Sequence, residues 1–233
     1  MNTKCCVSVA AIKKEPCEKS EMISQMLYGE TCKVQETNGN FSKIITDFDE
    51  TEGWINSQLL KKNPQTSEQF LVEQSFGIFD LKDGKTLLSI GSEVDFPTEK
   101  FADKNNLRQS IAETARKFLN VPFLSGGRSF FGTDSAGFVQ LVYKIHGIAL
   151  PRFPEKLAET GEVLYFVEES KSGDLAFFEN ENGDVIHVGI ALENQQIIHN
   201  FGKVRIDILD STGIFNKELN RHTHKLRFVK NVF

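Results

Sequence analysis

Apolar and polar positions along this chain change period near Asn106. Ahead of it, short apolar runs are cut by turn residues roughly every ten positions, the spacing of a small all-β unit. Val7, Val9 and Ala10–Ile12 alternate weakly, and Met22–Leu27 and Thr31–Gln35 read as further strands. Asn38-Gly39-Asn40 is a hairpin turn ahead of Phe41–Thr46, and Glu52-Gly53-Trp54-Ile55 closes the run. This pattern predicts a β-barrel over residues 1–62. A polar linker, Lys61–Gln69 with Pro64, follows. Phe70–Val72 and Thr86–Ile90, around turns at Asp83-Gly84 and Gly91, predict a second, degenerate barrel-like segment over 66–100.

From Asn106 the period is helical. Leu107, Ile111, Ala115, Phe118 and Leu119 fall on one face of a helix that ends before Pro122. A second helix carries Phe138, Leu141, Val142 and Ile145 at i, i+3, i+4 and i+7 and stops at Gly147. Leu175–Phe178, Val185–Leu192, Gln196–Asn200 and Leu226–Val232 then read as strands. Helices first and antiparallel strands after them describe an α+β domain over 101–233.

With 39% hydrophobic and 25% charged residues, the composition is that of a globular protein with a packed core. A net charge of -5 gives no basic footprint for nucleic acid and disfavours anionic membranes. No apolar run reaches membrane-spanning length, so no integral membrane contact is expected. The start, MNTKCCVSVAAIKKEP, lacks the apolar core of a signal peptide, which gives the expectation of a cytoplasmic protein unless a signal has been trimmed. All four cysteines (Cys5, Cys6, Cys17, Cys32) precede the second domain, and none forms a CxxC pair. Cys5 and Cys6 are expected as small core residues. Trp54 is either a stacking platform or a barrel-core residue, and its closing strand favours the core.

Candidate chemistry gathers in the second domain. Asp134 sits where it would cap the second helix, and Ser135 occupies the first turn, where the helix dipole stabilises developing negative charge. His187 and His199 lie on consecutive strands joined by a short turn, where cross-strand placement brings two imidazoles together. Nucleophile, base and a group orienting the base make the general triad arrangement. Either histidine alone reads more often as a satisfied core residue, and the order and context of the three positions together favour chemistry. His222-Thr223-His224 has a two-apart spacing that puts both rings on one strand face. Without a carboxylate or thiol nearby in sequence they are expected as surface histidines, and no metal site is assigned. Ser125–Ser129 lacks the lysine of a phosphate loop. His146 is expected to cap the second helix at its C-terminus.

The stretches SEMISQMLYGETCKVQE and NFSKIITDFDETEGWINSQLL resemble a bacterial SH3 (SH3b) domain. The stretches ARKFLNVPFLSGGRSFFGTDSAGFVQLVYKIHGIALPR, SGDLAFFE, DVIHVGIAL and QQIIHNFG resemble the NlpC/P60 family of cell-wall peptidases, a papain-like fold. Together they look like the subgroup that cleaves γ-D-glutamyl–diamino acid bonds in murein peptides such as L-Ala-γ-D-Glu-diamino acid. In that subgroup the SH3b domain helps shape a pocket for the free L-alanine amine. The resemblance implies no cofactor. The family's DCSG motif falls on Asp134-Ser135-Ala136-Gly137, so Ser135 stands at the nucleophile, His187 at the base and His199 at the orienting position. Asp134 is implied as a ligand of the substrate amine, with the Ala136 position and the retained Arg128 beside it.

Three departures change the expected chemistry. Ser135 replaces the nucleophilic cysteine, Ala136 replaces a serine that assists amine binding, and Ser125 replaces a tryptophan. A thiol near pKa ~8.5 forms a thiolate beside an imidazole and a helix N-terminus, whereas a hydroxyl must lose its proton during attack. The expectation is therefore an impaired or inactive peptidase homologue that still binds cell-wall peptides. The alternatives are an active hydrolase using Ser135, His187 and His199, and an SH3b-based binding or scaffolding module.

Overall fold

In the computed structural model, residues 2–62, 68–103 and 105–233 are described. The middle of the expected linker, 63–67 with Pro64, lies outside the described residues. The chain divides into two units: residues 1–101 with 124–133, and residues 102–123 with 134–233. The loop 124–133, which the sequence reading put in the second domain, thus folds with the first.

The first unit is built on β1 (Asn2–Cys5), β2 (Val9–Lys13), β3 (Met22–Leu27), β4 (Thr31–Asn38), β5 (Phe41–Thr46), β6 (Glu52–Asn56) and β7 (Leu60–Lys62). They form one antiparallel sheet in the order β3-β2-β6-β5-β4-β1-β7. Each of β1 to β6 sends at least one side chain inward. Cys5, Ala10, Ile12, Met26, Cys32, Ile44 and Ile55 form the core. Burial pushes the Cys5 and Cys32 thiols up to about 12, so both are inert packing groups. Cys6 is half-buried, one residue out of phase with Cys5. Trp54 is not the expected core residue. Period-two alternation in β6 buries Gly53 and Ile55 and leaves Trp54 half-buried on the other face.

Residues 70–94 form β8 (Phe70–Leu71), β9 (Phe76–Leu81), β10 (Gly84–Ser89) and β11 (Glu93–Val94), paired as two two-stranded sheets, β9 with β10 and β8 with β11. Val72, Leu88 and Val94 pack under Tyr28, Phe79 and Phe96. The loop 124–133 adds the short pair β12 (Arg128–Ser129) and β13 (Gly132–Thr133). At Gly126, φ is +71° and an added Cβ would lie 2.2 Å from the Met22 carbonyl oxygen, so only glycine fits. Arg128 is 2% exposed and grips Glu30 through Nη1 at 2.9 Å and Nη2 at 2.8 Å. Its own N–H donates to Gln25 Oε1 at 2.7 Å.

The second unit opens with α1 (Leu107–Lys117), whose Ile111 and Ala115 are fully buried together with the capping Phe118. Leu119 lies past the last turn and is 40% exposed, not on the expected core face. Next, α2 (Ser135–Ile145) is buried at every residue. Then come β14 (Glu162–Leu164), β15 (Leu175–Glu179), β16 (Val185–Leu192), β17 (Gln196–Phe201), β18 (Lys203–Leu209), β19 (Gly213–Asn216) and β20 (Arg221–Asn231). The order is β14-β20-β15-β16-β17-β18-β19, and an added β19–β20 pairing closes six strands into a ring. Ala176, Phe178, Ala191, Ile197, Leu209, Ile214 and Val229 draw on all six and fill the interior. On the opposite face, α2 packs against β16 and β17. The architecture is α+β, as the order of helices and strands predicts.

The buried Arg128–Glu30 pair gives a stability test of the first unit. Glu30→Ala strands a buried guanidinium and should destabilise the unit by about 3–5 kcal/mol in urea unfolding. A loss within about 1 kcal/mol, the range of exposed pairs, would contradict this role.

Candidate active site

Asp134 is extended at the helix start, with φ -89° and ψ -179°, and its carboxylate accepts the Gly137 N–H at 2.7 Å. That cap fixes the first turn and leaves the N–H groups of Ser135 and Ala136 without hydrogen-bond partners among the described residues. Ser135 is 6% exposed, and its Oγ makes no hydrogen bond to another described residue. Asp134 is also held by Arg152, through Nη1 at 3.0 Å and Nη2 at 2.6 Å. The carboxylate expected to receive a substrate amine therefore already carries a buried cation.

The two expected histidines lie inside the barrel. Phe178 pairs with His187, and Gly189 with His199, so both imidazoles share the interior face with Ala191 and Ile197. Gly189 is required at this crossing. An added Cβ would stand 2.9 Å from His199 Cβ and 2.7 Å from Ile197 Cδ1. His187 Nε2 lies 3.0 Å from His199 Nδ1, and His199 Nε2 lies 3.1 Å from Asp207 Oδ2. An ionised carboxylate only accepts, so His199 carries its proton on Nε2 and presents Nδ1 as an acceptor. His187 must then donate from Nε2, which leaves the Nδ1 lone pair as its basic site.

Asp207 is buried and anchored in turn. Arg205 donates to it from Nε at 2.7 Å and Nη2 at 3.2 Å, and Asn216 Nδ2 from 3.4 Å. Burial works to raise the Asp207 carboxyl, but hydrogen bonds from His199 and Arg205 outweigh it and hold the group below the usual carboxylate range. Burial, with His199 and His224 beside it, holds His187 well below the ordinary imidazole value. Burial also lowers His199, against the opposing pull of Asp207. A neutral imidazole of fixed tautomer and a helix N-terminus with open N–H groups are both parts of the equipment of acyl transfer.

Residues 120–224 match the NlpC/P60 family, and residues 13–60 match the bacterial dipeptidyl-peptidase SH3 domain. The chain carries an NlpC/P60 domain behind a bacterial SH3 domain. A γ-D-glutamyl-L-lysine dipeptidyl-peptidase from Bacillus subtilis (strain 168) is 25% identical over 241 residues, which cover 87% of this chain and 81% of that protein. Another γ-D-glutamyl-L-lysine dipeptidyl-peptidase, from Bacillus cereus, is 34% identical over 46% of this chain and 31% of its own length. The crystal structure of an NlpC/P60 family protein from Bacillus cereus ATCC 10987 superposes with a TM-score of 0.83 at 19% identity, covering 100% of this chain and 99% of that one. At that identity the likeness shows the fold alone.

Within the NlpC/P60 domain the structure brings His187 and His199 together and adds Asp207, which the sequence reading missed. The signal was present in the alternation of Lys203–Leu209, where Arg205 and Asp207 share a face with the buried Leu209. His199 faces Arg205 directly across β17 and β18, which makes Asp207 its diagonal neighbour. Arg128, implied as a substrate ligand, is instead committed to Glu30 in the first unit.

His224 is a second correction. A bulge at Thr223 shifts the register, so His224 pairs with interior Ile214 while His222 pairs with Phe215. The two rings therefore point to opposite faces. His222 meets Asp210 at 2.9 Å near the surface, while His224 stacks on His187 at 4.2 Å between ring centroids. Burial first, and His199 second, push His224 down to about 4. His146 caps α2 as expected and lies 3.1 Å from Thr114 Oγ1.

Two tests follow from this packing. Gly189→Ala should cost about 1–3 kcal/mol and turn the His199 ring, read by loss of the His187–His199 hydrogen-bonded proton in NMR. A variant that keeps that resonance would show that the strands absorb the extra methyl. The second concerns acid. His224 titrates near 4 when folded and about 6.5 when unfolded, so below pH ~6.5 the unfolded chain binds the extra proton. Its stability contribution is complete above that pH and is lost as pH falls toward 4, up to about 3 kcal/mol. With chelator present, His224→Gln should flatten urea midpoints measured between pH 7 and 4.5. Equal pH dependence in both proteins would contradict the assignment.

Proposed function

We propose that this NlpC/P60 domain binds murein peptides of the L-Ala-γ-D-Glu-diamino acid type and cleaves their γ-D-glutamyl bond far more slowly than a cysteine-bearing site. The substrate class is supported by relatives that are γ-D-glutamyl-L-lysine dipeptidyl-peptidases. The observation that carries the reading is a mismatch. The base relay His187–His199–Asp207 is complete, while the nucleophile position holds a hydroxyl that is not hydrogen-bonded to it.

In the reaction so assigned, Ser135 Oγ attacks the γ-carbonyl carbon as His187 Nδ1 takes its proton. The N–H groups of Ser135 and Ala136 receive the developing oxyanion, and His187 returns the proton to the leaving amine. Water then hydrolyses the acyl ester, with His187 as base. The weak step is the first. General-base efficiency falls as the base becomes less basic, and burial among imidazoles makes His187 a weak base facing a hydroxyl. A thiol gives up its proton more readily and needs less from the same imidazole. The complete relay also suits a second reading, a working serine hydrolase of low turnover.

Ser135→Cys, with or without Ala136→Ser, should raise kcat/KM on L-Ala-γ-D-Glu-diaminopimelate roughly 10³-fold. His187→Ala in the cysteine background should abolish that gain. Turnover by the starting protein that cysteine fails to raise would overturn the slow-site reading in favour of a serine hydrolase. Absence of both binding and cleavage in every form would leave the scaffolding role.

A further inference from the structure

Acyl transfer uses two of the three imidazoles inside the barrel. We propose that His187, His199 and His224 together bind a divalent transition-metal ion of the imidazole-preferring class, Zn²⁺ foremost, and that the metal-bound and hydrogen-bonded arrangements are alternative states of the same rings. This inference goes beyond the hydrolytic reading and holds whether or not Ser135 reacts.

The geometry carries it. One ligand nitrogen from each ring falls within 4.8 Å of the other two. His187 Nε2 and His199 Nδ1 are 3.0 Å apart, close to the ~3.3 Å that two nitrogens keep around a tetrahedral Zn²⁺ with bonds of about 2.0–2.1 Å. The outer partners are also in place. Asp207 takes His199 Nε2–H, the carboxylate–histidine pairing that fixes a metal-ligating tautomer. Thr223 Oγ1 holds His224 Nδ1 at 2.9 Å, which leaves Nε2 as that ring's ligand atom. The ligand set is three neutral nitrogens, and a fourth position would be open to water.

Binding asks for two local changes. His187 must move its proton from Nε2 to Nδ1, a tautomer exchange with no net proton released. The His187–His224 stack, with rings 28° apart, must open so that the two lone pairs converge. His224 has a route for this tilt, since it is partly exposed and sits on the bulged segment of β20. Once the ion is held, both nitrogens of His187 are occupied and the base is withdrawn.

The test titrates Zn²⁺ and Co²⁺ into the metal-stripped full chain by calorimetry, visible absorption and imidazole NMR. One ion per chain is expected, with tetrahedral Co²⁺ bands and no thiolate charge-transfer band. Of the five histidines, Zn²⁺ should shift the ring signals of His187, His199 and His224 and leave those of His146 and His222. His224→Gln should weaken binding at least about 100-fold, Asp207→Asn about 10–100-fold, and His222→Gln not at all. A thiolate band, unshifted signals from the three rings, or equal affinity in His224→Gln would overturn the proposal. The NMR readout on the unaltered protein decides the matter even if a variant fails to fold.

Discussion

The hydrogen bond between His187 Nε2 and His199 Nδ1 is the contact on which the rest of the second unit converges. It lies inside a closed barrel, where an imidazole pair is tolerated only if every polar atom has a role. Closure by the β19–β20 pairing brings Asn216 and His224 into the same interior as β16 and β17. Gly189 supplies the missing side chain that lets His199 sit opposite it. Asp207 sets the direction of the proton, and Arg205 and Asn216 keep Asp207 ionised and still. The donors converge on Asp207, from Arg205 on one side and from His187 through His199 on the other. The tautomer of His187 is therefore a property of the fold.

Against that ordered relay, the start of α2 has an open bond. The Asp134 cap and the buried α2 place Ser135 and two N–H groups without partners among the described residues at one helix end, an arrangement that serves thiol or hydroxyl alike. Proton affinity distinguishes them. An imidazole kept neutral by burial is compatible with a thiol that ionises readily, and is poorly matched to a hydroxyl. Arg152 adds to the order at this helix end, because it pairs with the Asp134 carboxylate that caps it.

Much of this was legible in the sequence, for identifiable reasons. Val185–Leu192 and the hairpin at Gly39 follow from apolar runs and a turn whose conformation only a few residues accept. His187 and His199 were placed by their strands and the short turn between them. Asp207 was not, because Lys203–Leu209 mixes charges into its interior face, and a polar residue pointing inward reads as solvent-facing until its partners are known. Trp54 and Leu119 were misplaced by one step of phase, a half-period in a strand and the last turn of a helix. His224 required knowledge of a bulge. The regular two-residue period puts it beside His222, and one extra residue at Thr223 sends the rings to opposite faces.

That bulge also changes what the interior can do. With two imidazoles and a carboxylate, the ring holds one arrangement, since one proton between His187 and His199 satisfies both nitrogens. A third neutral imidazole adds a lone pair that no proton in the relay reaches. His224 spends one nitrogen on Thr223 and stacks its face on His187, a contact that contributes little beyond area and makes His187 less basic. For a cysteine or serine mechanism the added ring is therefore a cost. Its placement is accounted for if the three lone pairs have a common partner that is neither proton nor substrate. A cation between the rings meets that condition, with Asp207 already behind His199 to balance its charge.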